Sequence, residues 1–287
     1  MHGIIGREAT VKIGFHISIA GGFDDARREA KRLRCEVVQI FVKNPRSWAQ
    51  KTWRDEEVEA FKRLSSEIPV FAHLSYLPNL AKIDGDERHM EGFAHEAGLC
   101  CRLGIPAIVV HCGSREEKDK GIAMTARAVN EVLARFDIQI LLENASGQGA
   151  SIGKNIDELA GIYGGIAKKD KVFLCLDTAH LFQSGYDIRR KRVWNGLIGD
   201  IESSIGKGKI MFFHLNDSST AAGSRVDRHW HIGKGELGIE FFRLLLNDKR
   251  FAHLAGVMET PKMGKMDIRN MKVMRSLLPP LMSRSSS

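Results

Sequence analysis

The chain has no apolar run approaching the roughly 18–20 residues that a membrane-spanning helix needs. Its 287 residues carry only five cysteines. Cys35, Cys100, Cys101, Cys112 and Cys175 are odd in number and form no Cys-x-x-Cys pair, which argues against a disulfide framework and against a cysteine zinc site. The opening Met1-His2-Gly3-Ile4-Ile5-Gly6-Arg7-Glu8 lacks the pattern of a secretory signal. These absences set the expectation of a cytoplasmic protein with no membrane partner. A Pro- or Gly-rich linker is missing too. One catalytic domain is therefore expected over 11–281, between a loose leader at 1–10 and a polar tail at 282–287.

Hydrophobic residues make up 43% of the chain and charged residues 27%, the balance of a globular protein. The formal net charge is +8 and the pI about 9.3. That excess favours a polyanionic partner, because each phosphate contact releases counterions. Basicity alone is weak support, since charge runs are usually solvated faces.

Short apolar runs recur at 11–18, 36–42, 70–72, 107–110, 138–142, 172–176, 210–213 and 255–258. Helical patterns separate them at 23–33, 55–66, 87–103, 118–135, 156–167, 193–205 and 239–246. A last pattern at 268–278 is stopped by Pro279-Pro280. Short apolar strands alternating with helices predict a parallel sheet covered on both faces. Eight such units over this length predict an α/β fold, a closed (β/α)8 TIM barrel in a single domain, with an open doubly wound sheet as the alternative.

In such barrels the active site lies at the C-terminal ends of the strands. His73 follows the third apolar run, His111 the fourth, Glu143 the fifth, Asp177 the sixth, His214 the seventh and Glu259 the eighth. His180 stands three residues after Asp177. Asp227 and His229 alternate in a segment beyond His214, so an extended backbone points both the same way. Any one of these could be an ordinary hydrogen-bonded polar residue. Six consecutive strand ends are harder to assign that way. Five imidazoles and four carboxylates exceed the four or so ligands of one zinc ion, so two or three metal ions are implied. Mixed imidazole and carboxylate suits zinc, with manganese or iron as substitutes, and suits magnesium less. Three divalent ions against four carboxylates leave a positive site, and a phosphodiester is a natural anion for it.

The chain resembles the endonuclease IV family of apurinic/apyrimidinic DNA endonucleases. The resemblance is carried by Phe15-His16-Ile17-Ser18 with Gly21-Gly22, Lys43-Asn44-Pro45-Arg46, His73-Leu74-Ser75-Tyr76-Leu77, His111-Cys112-Gly113-Ser114 and Glu143-Asn144-Ala145-Ser146-Gly147-Gln148-Gly149. It continues through Asp177-Thr178-Ala179-His180, Gly185-Tyr186-Asp187, His214-Leu215-Asn216-Asp217, Arg225-Val226-Asp227-Arg228-His229 and Glu259-Thr260. The motifs are collinear over roughly 13–260. Singly they are weak, and together they are specific.

The resemblance implies a TIM barrel with three zinc ions per chain. It implies a monomer that cuts double-stranded DNA 5′ of abasic sites, leaves a 3′-hydroxyl and a 5′-deoxyribose phosphate, and also trims blocked 3′ ends. Carried over by position, His73, His111 and Glu143 would hold one ion. Glu143, Asp177, His214 and Glu259 would hold a second, and His180, Asp227 and His229 a third. Glu143 and Glu259 would be catalytic, and Arg46, Tyr76 and Leu77 would probe the duplex around the lesion. The chain departs from the family at Cys112, where Pro is usual, and at Trp230, where another His is common. Cys112 is expected to be a small buried thiol, and His231 and His16 are expected off the metals. The roles of Asp217 and of Arg189-Arg190-Lys191-Arg192 stay open, the former as support and the latter as phosphate contact or solvated face. A metal-dependent sugar isomerase or epimerase on the same barrel is the alternative function.

Overall fold

A computed structural model describes residues 10–279. Apart from Thr10, the expected leader lies outside the described residues, as do Pro280 and the expected tail at 282–287.

The strands are β1 (Lys12–His16), β2 (Val38–Phe41), β3 (Val70–His73), β4 (Ala107–His111), β5 (Gln139–Glu143), β6 (Val172–Asp177) and β7 (Ile210–His214), then the two-residue β8 (Asp217–Ser218) and β9 (His229–Trp230), and finally β10 (Ala255–Met258). Eight of them close a barrel in the order β1-β10-β7-β6-β5-β4-β3-β2. Every barrel pairing is parallel. Closure removes the open-sheet alternative. β8 and β9 form a small antiparallel ribbon above the barrel.

The helices are α1 (Phe23–Leu33), α2 (Asp55–Ser65), α3 (Glu87–Leu103), α4 (Lys118–Arg135), α5 (Ile156–Gly164), α6 (Thr178–Ser184), α7 (Lys191–Ser204), α8 (Ile239–Leu246) and α9 (Met266–Leu277). Their boundaries follow local chemistry. The Asp86 side chain accepts the Arg88 N–H at the start of α3, and Gly104 closes its other end in the left-handed region. Phe93, Ala97 and Cys100 recur at helical spacing and face the sheet. Among the described residues no helix is long and apolar enough to cross a membrane.

Besides the β8–β9 ribbon, two features were not expected. The helix expected to reach 167 ends at Gly164, the first of a glycine pair that precedes a run of lysines. A short extra helix, α6, begins directly after β6, where Asp177 caps it by accepting the His180 N–H at 2.8 Å.

Inside the barrel, strand alternation builds two layers. Phe71, Val109, Leu141, Cys175, Phe212 and Val257 form a dry inner cluster. Two residues further along each strand, on the same face, stand His73, His111, Glu143, Asp177, His214 and Glu259. The apolar layer is the floor of the site.

Candidate metal centre

All nine side chains expected as ligands converge above that floor. The registers His111↔Glu143 and Asp177↔His214 bring neighbours side by side. Glu143 is the hub. Its Oε2 lies 3.1 Å from His73 Nε2 and 3.3 Å from His111 Nδ1, and its Oε1 lies 2.9 Å from His214 Nδ1. His214 Nδ1 is also 3.3 Å from Glu259 Oε2 and 3.8 Å from Asp177 Oδ2. Around the edge, Asp227 Oδ1 lies 3.3 Å from His180 Nε2 and 3.5 Å from His229 Nε2. Asp177 joins this third group as well as the second, with Oδ2 3.4 Å from His229 Nε2. Ligand atoms within 4.8 Å of one another form four groups among the described residues: His73-His111-Glu143, His73-His214-Glu259, Glu143-Asp177-His214-Glu259 and Asp177-His180-His229.

For His73, His180 and His229 the hydrogen bonds on the far side of the ring say which nitrogen is free. His73 Nδ1 is 2.7 Å from the Leu74 carbonyl and His180 Nδ1 is 2.9 Å from the Asn144 carbonyl. A carbonyl only accepts, so each Nδ1 donates and, in the neutral ring, each Nε2 presents a lone pair. His229 Nδ1 faces the Glu259 carbonyl at 3.4 Å in the same sense. The two Nε2 atoms of His180 and His229 then meet at 3.3 Å, and His73 Nε2 points at a carboxylate. Lone pairs aimed at one another and at carboxylates are mutually repulsive unless a cation lies among them. The donor set therefore fits divalent metal ions.

The electrostatics agree. Burial disfavours the charged form of His180, but Asp177, Asp227 and Glu143 outweigh it and raise its pKa to about 10. Burial pushes the Asp227 carboxyl up, yet His180, His229 and His111 bring it down to about 2. Burial also opposes the charge on Glu143, and His111, His214 and His73 still hold it well below the usual carboxylate range. The carboxylates thus favour positive charge on His180 and His214, whereas burial lowers the pKa of His111.

Several residues that position the ligands were not singled out from sequence. Gln39 is fully buried on β2. Its Oε1 lies 3.0 Å from His214 Nε2, and its Nε2 donates to Glu259 Oε1 at 2.8 Å and lies 3.0 Å from His16 Nδ1. Asn216 donates to Asp177 Oδ2 at 2.7 Å and accepts the Glu259 N–H at 2.7 Å. Asn144 accepts the Asp177 N–H at 2.7 Å. Gln148 accepts the Asp227 N–H through its side chain at 2.8 Å. Asn144 and Asn216 lie one and two residues past a strand end, so a search of strand ends for amides would have found them. Gln39 lies inside a strand, and only its inward parity marks it.

His16 Nδ1 lies 2.9 Å from Glu259 Oε1, behind the ligand. His231 turns away to Asn270 and Met263. Cys112 is buried, with its thiol pKa pushed up by burial and its Sγ toward the Glu143 carbonyl. Arg189 and Arg190 both pair with Asp187, and Lys191 opens α7.

At the mouth, Tyr76 is 58% exposed and packs edge-on against Phe41, with ring centroids 5.1 Å apart. Its N–H donates to the Pro45 carbonyl, which ties its loop to the one carrying exposed Arg46. Leu77 beside it is half-buried.

A ring of strand-end imidazoles and carboxylates over a closed parallel barrel defines the class, and the model of the xylose isomerase-like TIM barrel family matches residues 27–277. Within that class, the chain belongs to the endonuclease IV family. It is 38% identical over 279 residues to the probable endonuclease 4 of Chloroflexus aggregans, covering 93% of this chain and 98% of that one. The crystal structure of endonuclease IV from Thermus thermophilus matches with a TM-score of 0.80 at 32% identity, covering 93% of this chain and 98% of that one. A D-tagatose 3-epimerase-like protein, 15% identical with a TM-score of 0.71 over 93% of this chain and 97% of that one, shares the fold alone.

Proposed function

We propose that the protein is a DNA-repair endonuclease that hydrolyses the phosphodiester 5′ of abasic sites in double-stranded DNA, leaving a 3′-hydroxyl and a 5′-deoxyribose phosphate, and that it also trims blocked 3′ ends. It acts as a cytoplasmic monomer, with residues 11–281 as one catalytic domain. The observation that carries this reading is the convergence of five imidazoles and three carboxylates in overlapping groups, with Asp227 beside His180 and His229 at the edge. His73, His111 and Glu143 would hold one zinc ion. Glu143, Asp177, His214 and Glu259 would hold a second. His180, Asp227 and His229 would hold a third, with manganese or iron as substitutes.

When bound, three such ions supply water activation and neutralisation of the charge that develops on a phosphodiester. The protein's own groups do the rest. Glu259 is the least enclosed of the inner carboxylates, with 19% of its side chain exposed. His16 and Gln39 occupy its Oε1, which leaves Oε2 facing the centre to orient the attacking water. Glu143 sets the spacing of the imidazoles on either side of it. Arg46 and Tyr76 offer a guanidinium and a ring that stack on bases, and Leu77 is an apolar wedge for the gap left by a missing base.

The test is a duplex with one synthetic abasic site, incubated with and without chelator. Incision 5′ of the lesion that is lost to the chelator and restored by zinc is expected. An uncut duplex under metal-replete conditions overturns the reading and turns attention to sugar substrates of the epimerase type.

A further inference from the structure

Asp217 stands outside the ligand set yet is fully buried. Its carboxylate accepts five backbone N–H groups. Oδ1 takes those of Ser218 (2.8 Å), Leu237 (3.0 Å) and Gly238 (3.3 Å), and Oδ2 takes those of Gly233 (2.9 Å) and Gly235 (3.1 Å). The segment Gly233-Lys234-Gly235-Glu236-Leu237-Gly238 thus winds around an anion that belongs to the chain itself, as a glycine-rich nest winds around a phosphate. The fit is tight. A Cβ on Gly235 would lie 2.3 Å from the Ser218 carbonyl oxygen and 2.6 Å from Asp217 Oδ1.

The nest connects directly to the ribbon. Asp217 pairs with Trp230, and Ser218 pairs with His229. The Ser218 carbonyl also accepts the Glu236 N–H at 2.7 Å, so the nested segment that follows β9 in the chain is bound directly to β8, the strand that β9 pairs with. On the other flank Gln183 donates to the Arg228 carbonyl at 3.1 Å, and Gln148 accepts the Asp227 N–H. Asp227 and His229 come from an irregular loop, and a ribbon of two residues a side has little stability of its own. Something has to fix its exit.

We propose that Asp217 is the positioning residue of the third cation group: its buried carboxylate gathers the 233–238 segment and thereby sets where His229 presents its Nε2. This rests on the three-ion reading above. The inner groups are held by barrel strands and do not depend on the nest. Asp217→Asn keeps the shape but turns an NH2 toward N–H groups that need an acceptor. Gly235→Ala crowds the same carboxylate without touching its charge. Zinc is counted per chain after equilibration in zinc buffers, with far-UV circular dichroism and incision kinetics on the abasic duplex alongside.

The wild type is expected to hold three ions. Both variants are expected to hold two tightly and the third about 10–100-fold more weakly, with the barrel intact and kcat lowered more than KM. Retention of the third ion at wild-type affinity in either variant, or loss of all three ions together, overturns the proposal. A wild-type count below three overturns the three-ion reading instead, so the two failures are distinguishable.

Discussion

Glu259 and Gln39 show how much of this centre depends on which atom of a side chain is occupied. With Oε1 of Glu259 bonded to His16 and Gln39, the carboxylate cannot rotate freely, and Oε2 stays over the centre. Glu259→Gln is expected to lower incision by about 10²–10⁴-fold while lesion binding persists, measured by gel assay and by mobility shift. Full activity in that variant would remove Glu259 from the chemistry. Gln39→Leu preserves volume but removes both the acceptor for His214 Nε2 and the donor to Glu259. A loss of about 10–100-fold in kcat or zinc affinity is expected, with little change in melting temperature beyond that of bound metal. Unaltered kinetics and zinc affinity would reduce Gln39 to packing. The converging imidazoles and carboxylates were legible in the sequence because charged residues ending apolar runs stand out. Their amide partners were not, since Asn and Gln at such places are as common in turns as in sites.

Among the elements, the strands and most helices could be read from apolar period and caps, and α1, α3, α4 and α8 begin and end where the pattern does. The failures have physical causes. Asp177-Thr178-Ala179-His180 looks like the frayed end of a strand, and seven residues are too few for a helical period to declare itself. The β8–β9 ribbon has two residues a side, held by Asp217 and Gln183 across ten or more positions of sequence, and no local propensity encodes that. At the start of α5, Asn155 accepts the Glu158 N–H at 2.9 Å, and Asn155→Ala is expected to lower stability by about 1 kcal/mol in urea unfolding. At the start of α2, Glu57 accepts from Lys51 Nζ at 2.8 Å and from the Arg54 N–H at 3.0 Å. The Lys51 ammonium, helped by that N–H, holds the Glu57 carboxyl at about 2 against a usual 4.5. A depressed folded pKa means that this contribution is present above about pH 4.5 and is lost as pH falls toward 2. The acid-side fall in melting temperature should therefore be shallower in Glu57→Gln than in the wild type. Parallel melting curves would show that the contact contributes nothing.

At the scale of the whole molecule, the net charge of +8 belongs with a polyanionic substrate. The KM for an abasic duplex is expected to rise steeply between about 50 and 200 mM salt, with kcat much less affected. A KM indifferent to salt would mean that the basic surface takes no part in binding.

The two-layered barrel interior bears on how such a centre could change over time. Each inner ligand is mounted on a strand whose neighbour lies about 4.8 Å away, and that interval is set by backbone hydrogen bonding and not by any side chain. The sheet is thus a ruler, and the ligand ring inherits its graduations. Replacing His111 or Glu143 alters what is held at a mark without moving the mark. A barrel of this kind can therefore exchange one ligand for another over a constant pitch, while the loops above it are rewritten for a different substrate.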